Sequence, residues 1–318
     1  MMRMGNTRIA FIETMAELAQ QDPKVVLVCA DSVLVVKGKS FAQKYPNRFI
    51  DVGIAEQNAV ACASGMAACG LIPFVATYAG FITMRACEQV RTFVAYPGLN
   101  VKLIGANGGI GAGEREGVTH QFFEDLGIMR TIPGFTVVVP ADTEQVKHAT
   151  RAIYQIKGPA YMRIGSGRDP IVDCENVPFE LGKIRILADY GRDIILFACG
   201  FVINRVLLAA ETLSREGIKA AVVDVPTLKP LDHSGIVPLL SQAAAAVTVE
   251  DHNIIGGLGS AIAELSVSAC PVHLCRLGVP DIFTRSGHPE PLLDYYHMGV
   301  KDIVDAAKTA IKRRDAKA

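Results

Sequence analysis

The stretch RFIDVGIAEQNAVACASGMAACG, running from Arg48 to Gly70, decides how the chain is read. A short apolar strand ends at Gly53, and a helix begins at once with the charged Glu56 in its first turn. Ala59, Ala61, Ala63, Ser64, Gly65, Ala67 and Ala68 give this helix small side chains, which let another backbone approach closely. A strand that runs straight into a helix is the repeating unit of a wound α/β sheet. Two readings of Glu56 stay open from the residues alone. One is a first-turn acid favoured by the helix dipole, an effect of roughly 0.3–1 kcal/mol. The other is a carboxylate desolvated among small apolar residues, whose pKa rises unless it is paired. That second condition suits proton exchange with a ring nitrogen.

Outward from this unit the pattern repeats. Phe11, Met15, Leu18 and Ala19 fit helical spacing and stop before Pro23. VVLVC (25–29), IPFVATY (72–78), VKLIGA (101–106), TVVVP (136–140) and AYMRI (160–164) are short apolar runs of the kind buried in a parallel sheet, with helical segments between them. In ADTEQV, Asp142 is placed to cap a helix, with Gln145 three residues on. From 165 to 192 the alternation lapses into a stretch rich in Gly, Pro and charge. It resumes with DIILFA (193–198), KAAVVDV (219–225), AAVTVE (245–250) and VHLCRL (272–277). The expected fold is therefore α/β with two doubly wound domains, 1–170 and 191–318, joined by a linker over 171–190.

Composition narrows the class. The 318 residues suffice for two such domains, with 50% hydrophobic and 20% charged side chains. Lys+Arg and Asp+Glu stand at 32 each, so charge gives no case for nucleic acid or an acidic membrane surface. No run is long and apolar enough for a membrane span, and the first residues lack the apolar core of a signal peptide. The eight cysteines form no Cys-x-x-Cys pair and read as free thiols of a cytoplasmic protein. A mean hydropathy of +0.28 points to a buried interface.

Other residues offer chemistry beside a plainer role. Tyr78 and Phe81 in TYAGF are core aromatics at a strand-to-helix turn, or a flat platform for a ring. GANGGIGAGEREGVTHQ (105–121) is a flexible Gly-rich loop, or a loop that delivers His120 to a site. It does not match G-x-G-x-x-G. Asp31 follows the first strand, at the edge where α/β sheets place ligands, and equally suits a turn. GGLGSAIAE (256–264) reads as the cap and packing face of a helix rather than a phosphate loop, and His252, His288 and His297 as surface or structural residues.

In order and spacing, RFIDVGIAEQN, TYAGFITMRACEQVR and GEREGVTHQFFEDLGIMRTIPGFTVVVPAD resemble the pyrimidine-binding domain of thiamine-diphosphate-dependent transketolases. GRDIILFACG, GIKAAVVDVPTLKPLD and VEDHNIIGGLGSAIAE resemble the family's C-terminal domain. The likeness is strongest to the C-terminal subunit of split transketolases and covers nearly the whole chain. It implies two-carbon ketol transfer from a ketose to an aldose. It also implies that Glu56 hydrogen-bonds the cofactor's aminopyrimidine ring, that Tyr78 and Phe81 flank that ring, and that Asp31 lies near the cofactor across the junction of two subunits. His120 is implied as the group that exchanges a proton with substrate, with Gln121 its neighbour, and Glu116 as a contact to a sugar hydroxyl.

The family's substrate-phosphate contacts are only partly kept. Arg8 falls where the first Arg is expected, and either Arg163 or Arg168 where the last is. Asn107 replaces a loop His, and an apolar residue in DSVLVV replaces a Ser. Asn is neutral and a weaker donor to an anion than a charged group, so the resemblance implies a substrate that departs from an ordinary sugar phosphate. The family's cation motif, GDG…N, does not occur in the sequence. The resemblance thus implies an N-terminal diphosphate-binding partner subunit that carries Mg²⁺ or another divalent cation, in an α2β2 heterotetramer, with no metal held by this chain. Two alternatives remain: the β-subunit of a 2-oxo acid dehydrogenase E1 component, and a non-catalytic assembly subunit.

Overall fold

The computed structural model describes residues 3–111, 117–172, 177–243 and 245–316. The apolar runs form strands buried along their length, because helices cover both faces of each sheet. In chain order these are β1 (Val25–Cys29), β2 (Phe49–Asp51), β3 (Ile72–Tyr78), β4 (Lys102–Ala106), β5 (Thr136–Val138) and β6 (Ala160–Arg163). They are followed by β7 (Arg185–Asp189), β8 (Ile194–Ala198), β9 (Ala220–Asp224), β10 (Thr227–Lys229), β11 (Ala245–Asn253) and β12 (His273–Val279). The first sheet has the order β10-β5-β6-β4-β3-β1-β2 and the second β12-β11-β8-β9-β7. Within these two sheets all pairings are parallel except those of β10 with β5 and β7 with β9, and a separate short antiparallel pair joins Met4–Gly5 to Asp169–Pro170.

The first sheet winds outward from β1 in both directions, to β2 on one side and β3 on the other. Such a reversal leaves a crevice at the carboxyl ends of β1 and β3, where open α/β sheets bind ligands. The helix Glu56–Ala68 follows β2 and packs across β3 and β1, so its first residue opens into that crevice. The fold expectation is met: two wound α/β units.

Two details correct the expected boundaries. Residues 185–189, placed in the linker, form an edge strand of the second sheet, antiparallel to β9. Strand β10 leaves the second unit to close the first sheet against β5. One apolar layer is consequently shared: Val137, Val139 and Leu228 pack in the same cluster as Ile195, Phe197, Ala221 and Ile236. Asp142 caps its helix as expected, accepting from the Gln145 N–H at 2.9 Å. The Gln145 Oε1 turns back to accept from the Ala141 N–H at 3.1 Å, and its Nε2 donates to the Asp224 carboxylate at 2.7 Å. Cysteines 29, 62, 69, 87, 199, 270 and 275 are free; Cys174 lies outside the described residues. Among the described residues, no helix is long and apolar enough to cross a membrane.

Candidate active site

Glu56 begins its helix and is 2% exposed. Its Oε2 accepts from Arg85 Nη1 at 2.7 Å, and Arg85 is 43% exposed at the mouth of the crevice. The same guanidinium lies 4.3 Å above the Phe81 ring. Arg85 is the partner that a desolvated carboxylate requires. Its position four residues after Phe81 stacks the two on one helical face, in a segment whose wide turns span Phe81–Arg85 and Val90–Ala95. Such turns recur at functional sites. Sequence reasoning missed Arg85, although its spacing from Phe81 was a usable signal.

The structure brings Tyr78, Phe81 and His120 together. Tyr78 and Phe81 meet edge-on at 5.4 Å between centroids, and the His120 ring packs against both, at 5.0 and 5.2 Å. Phe122 closes the group from behind, 5.0 Å from Phe81. Gly80 makes this possible, because a Cβ there would lie 1.7 Å from the Phe122 ring. Gly80→Ala is expected to displace Phe122, cost about 1–3 kcal/mol of stability and disturb His120; urea unfolding and activity of the same variant check both effects. The Thr119 hydroxyl lies 3.1 Å from His120 Nδ1.

A second group forms at the far side of the sheet's carboxyl edge. Asp169 accepts from the Thr7 N–H at 3.1 Å and from the Gly167 N–H at 3.2 Å, and also binds the Thr7 hydroxyl. This clamps the start of the helix Thr7–Gln21 to the loop after β6. Arg8 is thereby carried to Asn107, with 3.4 Å between Nη1 and Oδ1, and its other nitrogen bonds the Ser166 carbonyl. Asn107 sits at φ +56, a left-handed conformation that Asn tolerates better than most residues. Arg168 lies exposed in the same loop. Asp31, at φ +53 and exposed, follows β1 with its N–H on the Asp51 carboxylate at 2.8 Å. Glu116 lies outside the described residues.

Arg163 lines one cavity with Thr7, Gly108 and Asp169 but is held by an ion pair, and its contact to substrate stays a proposal. It is 7% exposed and ion-paired with Asp125, which Tyr161 also binds; its Nη1 donates to the Asp251 carbonyl at 2.6 Å. Burial works against both charges of the pair. The Asp125 carboxylate nonetheless holds the Arg163 pKa up, and the Arg163 charge carries Asp125 below the usual carboxylate range. The pair lies within the first unit; through its bond to the Asp251 carbonyl, Arg163 also ties that unit to the second, a long-range role with no local sequence signature.

In both Gly-rich stretches, backbone N–H groups of described residues are taken by the chain's own carboxylates. Asp251 accepts from the Ile110 and Gly111 N–H groups at 2.8 and 3.0 Å. Glu250 takes the N–H groups of Leu258 and Gly259 at 2.6 and 2.7 Å, capping the helix Leu258–Ala269. Burial pushes the Glu250 carboxyl up to about 7. His252, read as surface or structural, is fully buried: Nε2 accepts from the Gly127 N–H at 3.1 Å, and Nδ1 lies 2.7 Å from the Asn253 carbonyl. Burial, reinforced by Arg163, pulls its pKa down to about 4 from 6.5. Between these values the unfolded chain binds a proton that the folded chain does not. The stability from neutral His252 is complete above pH 6.5 and is lost as pH falls toward 4, by roughly 3 kcal/mol at most. Glu250 works in the opposite sense, so the wild type must be compared with His252→Asn. Urea titrations from pH 7 to 4 should show a smaller loss in the variant; equal losses would mean that His252 is charged when folded.

Comparison with known proteins fits this geometry. Residues 4–167 match the family described as transketolase, pyrimidine binding domain, and residues 182–303 match transketolase, C-terminal domain. The chain belongs to the transketolase family. It is 41% identical to the 6-deoxy-6-sulfo-D-fructose transketolase subunit SqwH of Clostridium sp. (strain MSTE9), over 97% of this chain and 95% of that one. It is 33% identical to an apulose-4-phosphate transketolase subunit of Phocaeicola vulgatus, over 98% of this chain and 100% of that one. A solved structure described as a split gene transketolase, inactive beta4 tetramer, superposes with a TM-score of 0.87 at 38% identity, over 96% of this chain and 98% of that one. This transketolase chain therefore corresponds, nearly end to end, to the pyrimidine-binding subunits of split members.

The residues present fit one half of the cofactor that the family implies. A buried carboxylate beside two aromatic rings and an imidazole suits a flat heterocycle with ring nitrogens. For the charged half, the two candidate N–H cradles already hold Asp251 and Glu250. Among the described residues, no group of three or more His, Cys, Asp or Glu is arranged to hold a metal ion.

Proposed function

We propose that this chain is the pyrimidine-binding subunit of a transketolase that moves a two-carbon ketol unit from a ketose donor to an aldose acceptor, active only with a second subunit. The buried Glu56, set beside Tyr78, Phe81 and His120 at the switch point of the first sheet, carries this reading. When bound, thiamine diphosphate supplies the carbanion chemistry. Glu56 holds a proton at the aminopyrimidine ring nitrogen, Tyr78 and Phe81 orient the ring and exclude water, and His120 exchanges a proton with the substrate's oxygen. Asp31 faces outward at the same edge, as a residue reaching toward a neighbouring subunit must. Glu116 keeps its proposed contact to a sugar hydroxyl.

The partner is an N-terminal, diphosphate-binding transketolase subunit that brings Mg²⁺ or another divalent cation, in an α2β2 heterotetramer in the cytoplasm. Two observations support it. Two N–H cradles among the described residues are occupied by the chain's own side chains, and a relative's structure is an assembly of β subunits described as inactive. The names of the relatives include a sulfonated and a phosphorylated sugar. Arg8, Asn107 and Arg168 are the residues of this chain that receive such a distal anion, with Asn107 favouring a group other than an ordinary sugar phosphate. Arg8→Ala should raise KM for anionic donors about tenfold or more, the scale of one charged hydrogen bond. An uncharged donor should be unaffected, and parallel kinetics with both donors checks this.

The test is co-expression with a diphosphate-binding subunit and a screen of ketose donors that are phosphorylated, sulfonated or uncharged. Ketol transfer by the pair and by neither chain alone is expected. Decarboxylation of 2-oxo acids that requires a lipoyl carrier would instead favour the E1 β-subunit, and no turnover of any donor would favour a non-catalytic subunit.

A further inference from the structure

The segment that carries His120 is held by the second domain. Gln121, 1% exposed, uses both ends of its amide there: Nε2 donates to the Arg285 carbonyl at 3.0 Å, and Oε1 accepts from the Thr284 hydroxyl at 2.8 Å. The receiving segment is itself fixed, with the Arg285 N–H on the Tyr296 hydroxyl at 2.8 Å. Two residues further, the Phe123 carbonyl accepts from the Asn253 N–H at 2.7 Å. On the other side, Ile110 and Gly111 are anchored on Asp251, and Gly109 donates to the Phe122 carbonyl at 2.6 Å. Both flanks of the His120 segment are thus tied to residues 251–253 and 284–285, which lie outside the pyrimidine-binding domain. Within the first domain the His120 side chain packs on the rings of Tyr78 and Phe81, and its Nδ1 lies 3.1 Å from the hydroxyl of the adjacent Thr119, which moves with the same segment. Ring packing of this kind limits how far an imidazole tilts, whereas the bonded neighbour sets how far it reaches.

We infer that Gln121 and Thr284 are positioning residues: through them the C-terminal domain sets the place of His120 against the substrate. A carboxamide suits the task because it donates and accepts at once. A Glu at this position would present a second acceptor to the Arg285 carbonyl. The inference rests on the role proposed above for His120, and its test separates the two.

Thr284→Val, which keeps shape and removes the donor, and Gln121→Met are made in the co-expressed enzyme, alone and combined with His120→Ala. Hydroxypyruvate serves as donor probe with an aldose acceptor. Each single change should lower kcat about tenfold or more, with KM for the donor and the thiamine diphosphate dissociation constant within about twofold. In the His120→Ala background the same changes should cost nothing further. Equal losses in both backgrounds would mean a structural role and overturn the inference, as would unchanged kcat in the wild-type background. A second readout needs no turnover: the His120 ring-proton resonances, shifted by the currents of Tyr78 and Phe81, should move in Thr284→Val and stay fixed if the contact is incidental. If His120→Ala is itself fully active, the role of His120 falls, whereas the NMR result still reports whether Thr284 places the ring.

Discussion

Replacing Glu56 by Gln should lower the turnover of the assembled enzyme by roughly 100- to 10,000-fold, the scale of a lost proton-transfer group, while the chain folds as before. Gln has the same shape and still hydrogen-bonds a ring nitrogen, but it neither takes up nor releases a proton in the working range. The change also breaks the pair with Arg85. That Arg is 43% exposed, so solvent screens the loss, and the expected cost is less than about 1 kcal/mol. Initial rates and thermal unfolding of the same preparation decide the matter. More than a tenth of wild-type activity would leave Glu56 as nothing more than a first-turn acid in the helix dipole. A large loss of stability would shift its role from chemistry to the fold.

Arg163→Met should be the most destabilising of the single changes considered, by about 3–5 kcal/mol, because it strands the Asp125 carboxylate in a site without solvent. Arg168→Ala, in the exposed loop that carries Arg8 to Asn107, should leave stability within about 0.5 kcal/mol and raise KM for anionic donors. The pair of variants resolves a choice that the sequence left open between two Arg residues five positions apart. Urea unfolding supplies the stabilities, and donor kinetics in the assembled enzyme the KM values. A stable Arg163→Met enzyme with weakened donor binding would reverse the assignment.

The fold was legible because a strand covered on both faces has to be an apolar run, and VVLVC, IPFVATY and DIILFA show this without ambiguity. Strand β7 was not, because it is a half-exposed edge strand whose sequence, RILAD, sits inside a Gly- and charge-rich stretch. Strand β10, three residues long, crosses to the other sheet and carries no signal of where it goes. In the site, the motifs brought Glu56, Tyr78, Phe81 and His120 into view because each lies just past the carboxyl end of a strand or in the loop facing it. Arg85 stood within the quoted motif but has meaning only once Glu56 is known to be buried. Asp125 with Arg163, Asp251 with the Gly-rich loop, and Gln121 with Thr284 are pairs 38, 140 and 163 residues apart. The last two follow from the docking of one sheet unit on the other and the first from the folding of the first unit on itself, and no local pattern encodes either.

The central claim is that one chain supplies the carboxylate for the aminopyrimidine ring and a second chain grips the diphosphate. Titration calorimetry with thiamine diphosphate and Mg²⁺ tests it directly, on this chain alone, on its partner alone and on the co-expressed pair, each as wild type and Glu56→Gln. The account predicts saturable binding by the pair, weakened by the substitution, and no comparable binding by this chain alone. Tight binding of the complete cofactor by this chain alone, or binding by the pair that is indifferent to Glu56, would contradict it.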